Sequence, residues 1–296
     1  MPGEIVVLAN PAARGGRTRH LLDPVVRRLR QGGRRVSVVV GVSPADALER
    51  ARGAVASGPD ALVAFGGDGL VHLAVQAVTG TEVPLGIVPA GTGNDIAGAL
   101  GIPGKDPMAA AAVVAAGVAT GRTRSVDAAR TERGEWFAGV LACGFDSRVN
   151  ERANRMTRPP GMARYLVALA QELRSFAPIP FRLTLDGETE ERDAILVAVA
   201  NTASYGAGMR ICPDARPDDG LLDVLVLGAM PRGDFLRTFP LVYRGGHVRH
   251  PAVTVRRAAN VTVDAAGVIA YADGERLGPT PVSCAVEPGA LRVLVP

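Results

Sequence analysis

The first 120 residues alternate short apolar runs with segments whose apolar residues recur at helical spacing. Runs of four to six apolar residues predict buried strands, whereas apolar positions three and four residues apart predict amphipathic helices. The predicted strands are Ile5–Ala9, Val36–Val40, Ala61–Phe65 and Leu85–Val88, and the first predicted helix is Thr18–Gln31. Because strands that alternate with helices pair through right-handed crossovers, this half is expected to form an α/β domain with a parallel sheet of nucleotide-binding type.

After Gly121 the pattern changes to short strands with few helices, which is typical of a mostly antiparallel β domain. Asp186-Gly187 is a strong hairpin turn signal between two of these strands. The predicted strands are Ser125–Ala129, Trp136–Cys143, Phe181–Leu185, Ala194–Ala200, Leu222–Leu227, Val253–Val255, Asn260–Val263, Val268–Tyr271 and Leu291–Val295. The predicted helices are Asp146–Met156, Met162–Phe176 and Asp234–Tyr243.

Length, charge and cysteine content restrict the class of protein. A chain of 296 residues is long enough for about two domains, and a net charge of +4 is too small to argue for nucleic-acid binding. The three cysteines are far apart and form no C-x-x-C pair, which favours a reducing compartment and disfavours a zinc site. The N-terminus has no signal-peptide pattern, and the longest apolar run, Met108–Ala119, predicts a buried helix. We therefore expect a cytoplasmic protein whose membrane contact is peripheral, at the inner face.

The most informative motif is Phe65-Gly66-Gly67-Asp68-Gly69, which stands between a buried strand and a helix. Two glycines at the end of a strand let a phosphate approach the backbone, and the following helix offers unpaired N–H groups. The carboxylate of Asp68 would repel that phosphate unless a divalent cation lay between them. The motif therefore predicts metal–nucleotide chemistry. The alternative is a tight turn in which Asp68 caps a helix.

A second loop of the same kind follows the next strand, at Pro89-Ala90-Gly91-Thr92-Gly93-Asn94-Asp95. Asn94 or Asp95 could instead cap the helix that starts at Ile96. Two such loops on consecutive strands are expected to face one crevice at the carboxyl edge of the sheet. The loop Asn10–Arg17 after the first strand adds glycines and two arginines. No Walker P-loop is present, the sole lysine, Lys105, lies outside any strand, and no G-x-G-x-x-G follows the first strand.

Together these loops resemble the catalytic family of diacylglycerol kinases, in its soluble bacterial branch related to sphingosine kinases. The resemblance extends over most of the chain, because Cys143-Gly144-Phe145-Asp146, Asp218–Asp223 and Asp273-Gly274-Glu275 follow in the family's order. It implies an α/β nucleotide-binding domain over residues 1–120 and a β-sandwich lipid-substrate domain over residues 121–283. Residues 284–296 are expected to form a strand that packs back on the first domain.

The resemblance also assigns roles to individual residues. It implies that Glu275 takes the proton of the acceptor hydroxyl and that Asp68 is catalytic. The implied catalytic Mg²⁺ site is formed by Asp68 and Asp95, with Asp127 in its water network. A second, structural metal site would use Asp219 and the carbonyls of Arg216 and Leu221. The implied nucleotide contacts are Asn10, Ser43, Gly66, Gly67, Asp68, Gly69, Leu70, Val71, His72 and Thr92.

The prediction is thus an ATP- and Mg²⁺-dependent lipid kinase that converts diacylglycerol to phosphatidic acid at a membrane surface, with a homodimer left open. The alternatives are a kinase of another hydroxyl acceptor, such as a sphingoid base or a small metabolite, and a relative with weak catalysis that binds nucleotide or lipid. The last rests on Leu70, where the family more often has Thr. NAD kinases share Gly-Gly-Asp-Gly but follow it with an Asn-Glu motif that is missing here.

Two further patterns have competing interpretations. Asp186-Gly187-Glu188 repeats the Asp-Gly-Glu string of residues 273–275, and its strand flanks predict a solvated hairpin tip. Arg152, Arg155, Arg158 and Arg164 form a basic stretch that either contacts anionic lipid headgroups or is an ordinary solvated helix face. Arg244, His247, Arg249 and His250 form a second such cluster.

Overall fold

The computed structural model describes residues 3–10, 19–159 and 162–296. The chain divides into two compact units, which we call unit 1 and unit 2. Unit 1 comprises Met1–Ala128, Trp136–Ala138 and Glu287–Pro296, and unit 2 comprises Ala129–Glu135 and Gly139–Val286. None of the helices in the described part of the chain has both the length and the apolar character needed to cross a membrane.

Unit 1 is built from parallel strands joined by helices, as the sequence predicts. Its elements are β1 Glu4–Ala9, α1 Arg19–Leu29, β2 Arg35–Val40, α2 Pro44–Ala56, β3 Ala61–Gly66, α3 Asp68–Val78, β4 Leu85–Pro89, α4 Asp95–Ala99, α5 Pro107–Thr120, most of β5 Arg124–Thr131, β6 Trp136–Phe137 and the end of β15 Val282–Val293. The four strands predicted in this region are all confirmed, each within one residue of its expected bounds.

The strand order of unit 1 determines where its loops gather. β1 lies between β2 and β3, and β4 pairs with the other edge of β3, all in parallel. The end of β15 then pairs in parallel with β4 at Val293 and Leu85. From β1 the chain continues to β2 on one side and then crosses to β3 on the other side of β1. The loops after β1 and β3 therefore run in opposite directions. Such a switch point opens a crevice at the carboxyl ends of the strands.

Helix packing in unit 1 follows from the apolar spacing and from two capping residues. Ser43 caps α2 by accepting a hydrogen bond from the Asp46 N–H, as predicted for Ser43-Pro44. Asp106 caps α5 in the same way. The predicted buried helix over Met108–Ala119 is present as part of α5, but it is buried on one face only, at Ala110, Ala111, Val114 and Gly117. The alanines make this helix apolar all round, but only the face that packs against β4 and α1 is covered.

Unit 2 is mostly antiparallel. Its elements are the end of β5, β7 Val140–Gly144, α6 Phe145–Arg155, α7 Met162–Glu172, a 3₁₀ turn Leu173–Ser175, β8 Ile179–Leu185, β9 Glu188–Ala200, β10 Leu222–Gly228, α8 Arg232–Thr238, 3₁₀ helices Phe239–Arg244 and Gly246–Arg249, β11 Val253–Ala258, β12 Asn260–Asp264, β13 Ile269–Ala272, β14 Glu275–Pro279 and the start of β15. The long strand β9 pairs first with β8, and its buried second half lies between β7 and β10.

Three strand predictions need correction. The single strand predicted over Trp136–Cys143 is two strands, because the Gly139 carbonyl accepts from Asn201 and its N–H donates to Asp273, so the chain leaves β6 there. Strand β14 was not predicted, since Glu275–Pro279 lacks apolar alternation. The last strand begins at Val282 rather than at Leu291, because its first part pairs with β12.

Candidate active site

The glycine-rich loops lie at the carboxyl edge of the parallel strands of unit 1. Gly66 is the last residue of β3, and it pairs with Pro89, the last residue of β4. Asn10 follows the end of β1, on the other side of β3. The predicted convergence of the loops after consecutive strands is therefore met by the structure within this unit. The rest of the loop after Asn10, including both of its arginines, lies outside the described residues.

The two glycine-rich loops touch through their backbones. A Cβ atom placed on Gly91 would lie 2.3 Å from the Gly67 Cα atom, and one on Gly67 would lie 3.0 Å from the Gly91 Cα atom. Any side chain at Gly91 would therefore collide with the neighbouring loop. The glycines therefore let the two loops pack against each other.

Asp68 joins the two loops. Its Oδ2 atom accepts a hydrogen bond of 2.7 Å from the Asn94 N–H, and its Oδ1 atom accepts a longer one of 3.4 Å from the Ile96 N–H. These N–H groups belong to the start of α4, so the carboxylate that caps this helix comes from the other loop. The alternative in which Asp68 caps a helix is thus partly correct, although that helix is α4 and not α3. Carboxylate oxygens such as those of Asp68 are ligands that Mg²⁺ takes in proteins.

Asn94 stabilises the second glycine-rich loop through hydrogen bonds of its side chain. It adopts a left-handed conformation with φ of 60°, and its side-chain oxygen accepts a 2.9 Å hydrogen bond from the Gly91 N–H. Its side-chain nitrogen donates to the carbonyls of Gly91 and Gly104. Asn94 is the N-cap residue of α4, as the sequence alternative has it, but its side chain makes no capping hydrogen bond and closes its own loop instead.

The first turn of α3 is only partly available to a ligand. The N–H groups of Leu70 and Val71 both donate to the Gly67 carbonyl. The side chains of Leu70, Val71 and His72 are all buried, and His72 contacts the amide of Gln76, which also binds the backbone of Trp136. We therefore restrict the phosphate contacts that we propose in this loop to residues 66–69.

The other predicted nucleotide contacts lie at the same edge of the sheet but differ in their local roles. Asn10 and Thr92 are exposed, whereas Ser43 is occupied as the cap of α2. Loop positions at the ends of β1, β2 and β4 are where open α/β sheets bind ligands. Their assignment to nucleotide binding stays a prediction.

The acidic residues do not form an all-protein metal cage. Nowhere in the described residues do three His, Cys, Asp or Glu side chains come together in a group able to hold a metal. Asp127 is buried and accepts a 2.7 Å hydrogen bond from the Gly289 N–H, which ties β5 to the C-terminal strand. Asp95 is half-buried in the first turn of α4. This arrangement fits a Mg²⁺ ion held by one or two carboxylates and by ligand phosphates, which is the usual mode of that ion.

In unit 2, Glu275 stands at the tip of the hairpin that joins β13 to β14. Asp273 and Gly274 have φ of 52° and 85°, which is the geometry of a two-residue type I′ turn. The Asp273 Oδ1 atom accepts hydrogen bonds from the N–H groups of Gly139 and Val140, at 2.9 and 3.2 Å. Asp273, which the sequence analysis did not single out, thus holds the turn in place. The Glu275 side chain is exposed and starts β14.

The proposed structural metal site of unit 2 already contains a protein cation. Asp219 forms an ion pair with Arg257, and its Oδ1 atom accepts a 3.2 Å hydrogen bond from the Leu221 N–H. Arg257 also approaches Asp223, at 3.9 Å. A guanidinium group therefore neutralises the carboxylate at the position where the family resemblance implies a second metal ion.

Asp146 of unit 2 has a raised pKa that could not be predicted from the sequence. Asp146 lies in the first turn of α6, and its Oδ2 atom is buried without a hydrogen-bond partner among the described residues. Burial raises the pKa of this carboxyl to about 6, against the opposing effect of a hydrogen bond from Tyr205. The motif Cys143–Asp146 marks the residue, but only the tertiary environment determines its charge.

Comparison with known families agrees with this architecture. Residues 4–131 match the family described as the diacylglycerol kinase catalytic domain, and residues 139–295 match the YegS C-terminal NAD kinase beta sandwich-like domain. The chain belongs to the diacylglycerol kinase family. The fold class predicted from the sequence, a parallel α/β domain followed by a β-sandwich, is thereby confirmed, and the protein is a lipid kinase by family.

Individual relatives match over nearly the whole length. A protein named diacylglycerol kinase from Mycobacterium tuberculosis (strain ATCC 25618 / H37Rv) is 43% identical over 99% of this chain and 96% of its own. A protein of the same name from Bacillus subtilis (strain 168) is 26% identical over 87% of this chain and 84% of its own. Among solved structures, a diacylglycerol kinase crystal structure from Bacillus anthracis str. Sterne matches with a TM-score of 0.74 and 22% identity, covering 100% of this chain and 97% of that one. That structural likeness supports the fold.

Proposed function

We propose that this kinase transfers the γ-phosphoryl group of ATP to the free hydroxyl of diacylglycerol and so produces phosphatidic acid. The observation that carries the proposal is the contact between Gly67 and Gly91, with Asp68 hydrogen-bonded across it. The names of the relatives at 43% and 26% identity support diacylglycerol as the acceptor.

The glycine-rich loops suit a polyphosphate. Phosphoryl transfer depends on alignment and on neutralisation of charge more than on covalent help from the protein. With no side chain at Gly66, Gly67, Gly69 and Gly91, the phosphates can approach the backbone, and the N-terminal end of α3 carries a partial positive charge. We propose that these backbone groups bind and orient the phosphates of ATP.

Mg²⁺ fits this site on the donor chemistry that the structure shows. Asp68 would hold it with its carboxylate, and Asp95 would contribute from the first turn of α4. When bound, Mg²⁺ neutralises the charge on the transferring phosphoryl group. Asp68 is fixed by the Asn94 N–H, so its carboxylate is oriented before any ligand arrives.

Glu275 is the proposed general base. In the reaction, the acceptor oxygen forms a bond to the γ-phosphorus, the bond from that phosphorus to the β,γ-bridging oxygen breaks, and ADP leaves. The hydroxyl proton passes to the Glu275 carboxylate, which is exposed at the start of β14. The Asp273 hydrogen bonds to the backbone of Gly139 and Val140 hold the hairpin that presents this side chain.

The environment of Leu70 does not favour the alternative hypothesis that the protein is a relative with weak catalysis. Its side chain is buried and packs against Gly66, where a Cβ atom would lie 2.7 Å from the Leu70 Cδ2 atom. A threonine hydroxyl at this position would sit in that packing contact. Leu70→Thr is therefore expected to leave turnover unchanged or to lower it, and a gain in activity would support the weak relative.

The test is a transfer assay with labelled ATP and purified protein. Diacylglycerol, monoacylglycerol and sphingosine are presented in mixed micelles, and NAD in solution, each with and without Mg²⁺. We expect label in phosphatidic acid only, and only with Mg²⁺. Transfer to sphingosine or NAD instead would identify another acceptor, and ATP binding without transfer to any acceptor would refute the proposal.

A further inference from the structure

Strand β14 contains a β-bulge two residues after Glu275. Its register against β13 shifts between Arg276 and Gly278, which leaves Leu277 as an extra residue without a partner in β13. A bulge bends its strand, increases the local twist and redirects the side chains beside it. The direction in which the Glu275 side chain points therefore depends on the geometry of this bulge.

The bulge lies in an edge strand. β14 pairs with β13 along one side, and within the described part of the chain no strand pairs with its other side. The backbone groups on such a free edge need partners other than a neighbouring strand. Because only one ladder holds β14, the segment that carries Glu275 needs a further anchor to be fixed in one position.

The Arg133 guanidinium group binds this edge. Its Nη1 atom donates a 3.2 Å hydrogen bond to the Leu277 carbonyl, which belongs to the bulged residue. Its Nη2 atom donates to the carbonyls of Pro279 and Pro281, at 2.9 and 3.4 Å. A guanidinium presents its donors as a rigid planar fork, whereas a lysine ends in a single point charge. One arginine side chain therefore holds both the bulge and the end of β14.

Gly278 gives the guanidinium group room to approach. Its φ is 126°, a conformation that residues with a side chain rarely adopt. A Cβ atom at this position would lie 2.7 Å from the Arg133 Nη1 atom, so any side chain here would displace the guanidinium. The backbone of the bulge and the hydrogen bonds of Arg133 thus both require glycine at residue 278.

A closed turn presents Arg133 to β14. The Thr131 N–H donates to the Glu135 carbonyl at 2.8 Å, which brings the two ends of the turn together. Glu132 fixes the turn to the start of β15, because its N–H donates to the Ser283 carbonyl and its carboxylate accepts from the Ser283 N–H, at 3.0 and 2.6 Å. The same carboxylate lies 3.6 Å from the Arg133 Nε atom. The guanidinium group is therefore oriented by its own turn.

Glu275 thus stands between two anchors on the same hairpin. Asp273 holds the turn before it, through the N–H groups of Gly139 and Val140. Arg133 holds the bulge after it. The Arg133 side chain is 37% exposed, so water can replace it at the carbonyls when it is removed. Its loss is therefore expected to affect the position of β14 more than the stability of the protein.

We infer that Arg133 is a positioning residue for the reaction, because it fixes the β14 bulge and with it the direction of the Glu275 carboxylate. The inference rests on the proposed function, which assigns Glu275 as the general base. Arg133 acts through backbone carbonyls of β14 and the residues that follow it. A misplacement of about 1 Å at a reacting group can lower a rate by about 10²-fold, so a flexible bulge is costly for catalysis.

The experiment is a double-mutant cycle on the full-length protein. The variants are Arg133→Ala, Glu275→Gln and the two changes combined, with Arg133→Lys as the conservative variant. Phosphorylation of diacylglycerol in mixed micelles is measured over a range of ATP concentrations, and single-turnover reactions with labelled ATP measure the slow variants. The matched control is Arg210→Ala, which removes another exposed arginine of unit 2 that donates to a backbone carbonyl, that of Pro213 at 3.2 Å.

We expect Arg133→Ala to lower kcat by about 10- to 100-fold while the KM for ATP stays unchanged, with Arg133→Lys in between. In the Glu275→Gln background the same change should lower kcat no further, because no base is left to position. Arg210→Ala should keep the wild-type kcat, and melting temperatures check that every variant is folded. If Arg133 only stabilised the sheet edge, its loss would lower kcat by the same factor in both backgrounds, and that result would overturn the inference.

Hydrogen exchange of the backbone amides gives a measurement that is independent of activity. Arg133→Ala should speed exchange in the hairpin of residues 269–281 and leave the rest of unit 2 as in the wild type. Unchanged exchange there would overturn the inference.

Failure of the inference and failure of the proposed function are distinguishable. If Glu275→Gln loses activity and Arg133→Ala does not, the general base stands and the positioning role is refuted. If Glu275→Gln keeps the wild-type kcat, the proposed base is refuted, and the positioning role is refuted with it.

Discussion

The tripeptide Asp-Gly-Glu occurs twice in unit 2, and its two copies have the same turn with different surroundings. Asp186 and Asp273 have φ of 47° and 52°, and the glycines that follow have φ of 93° and 85°. Both aspartates also use their carboxylates in the same way, each accepting hydrogen bonds from two consecutive backbone N–H groups of another strand region.

The difference lies in what each aspartate holds and in what surrounds the glutamate. Asp273 binds the N–H groups of Gly139 and Val140, which are buried, whereas Asp186 binds those of Ala259 and Asn260, which are half-buried and exposed. Glu188 is paired with Arg256 at 3.1 Å. Within the described residues, Glu275 has no ion-pair partner. The same string thus makes the same turn twice, and only the environment distinguishes a candidate catalytic hairpin from a solvated one.

The largest expected difference is in activity. Glu275→Gln should lower kcat/KM for lipid phosphorylation by about 10²–10⁴-fold, because the hydroxyl loses its general base. Glu188→Gln should leave kcat/KM unchanged, since its partner Arg256 lies on the solvated hairpin side. The measurement is initial-rate kinetics with ATP and diacylglycerol micelles, with the melting temperature of each variant as the control. Equal losses in both variants, or none in Glu275→Gln, would remove Glu275 from the mechanism.

The next difference is in stability. Asp273→Ala should lower the free energy of unfolding by about 1–3 kcal/mol, because it leaves two buried N–H groups without an acceptor. Asp186→Ala should destabilise the protein less, since water can reach the N–H groups that it releases. Urea denaturation of both variants compares them directly. A larger loss in Asp186→Ala would show that burial does not explain the difference between the hairpins.

The glycines should behave alike. Gly187→Ala and Gly274→Ala should each cost about 1 kcal/mol, because both residues have positive φ that a side chain disfavours, and neither position has an atom within 4 Å of the new Cβ. Urea denaturation again provides the measurement. Clearly unequal costs would mean that the two turns differ in strain and not only in their neighbours.

The smallest expected effect is on the stability of the protein at low pH. Hydrogen bonds from the backbone of Asn260 and Ala259 lower the pKa of Asp186 below its usual value of 3.8. The carboxylate therefore contributes stability above that pH, and this contribution is lost as the pH falls through the lowered pKa. Asp186→Asn should show a shallower loss of stability below about pH 4 than the wild type, measured by thermal denaturation. Identical acid limbs would contradict the assignment.

Sequence patterns were sufficient for the elements that depend on neighbouring residues. Strands β1 to β4, the Ser43 cap and the Asp186-Gly187 turn each follow from a few consecutive residues, and all are found within one residue of where they are predicted. The strand over Trp136–Cys143 was mispredicted because its break at Gly139 depends on Asp273, which is 134 residues away. No local pattern contains that information.

The candidate site shows the same division. The glycine-rich loops could be recognised from their residues, whereas the partner of Asp68 could not. The inward orientation of Glu172 and the exposure of Leu166 likewise could not be predicted from the helical pattern, because Glu172 pairs with Arg152 of another helix. In both cases the partner of a carboxylate, Asp68 or Glu172, belongs to a different element of the structure.

By itself, the sequence determined most of the strands and helices, the Asp186-Gly187 turn and the family to which the chain is similar. These depend on backbone preferences and on apolar spacing over a few residues, which each segment carries with it. Only the tertiary structure decided that Asp68 binds the Asn94 backbone, that Asp273 anchors Glu275 and that α7 faces solvent with its leucine. A carboxylate is stabilised by whichever donors packing brings within about 3 Å, and that proximity is a property of the folded chain.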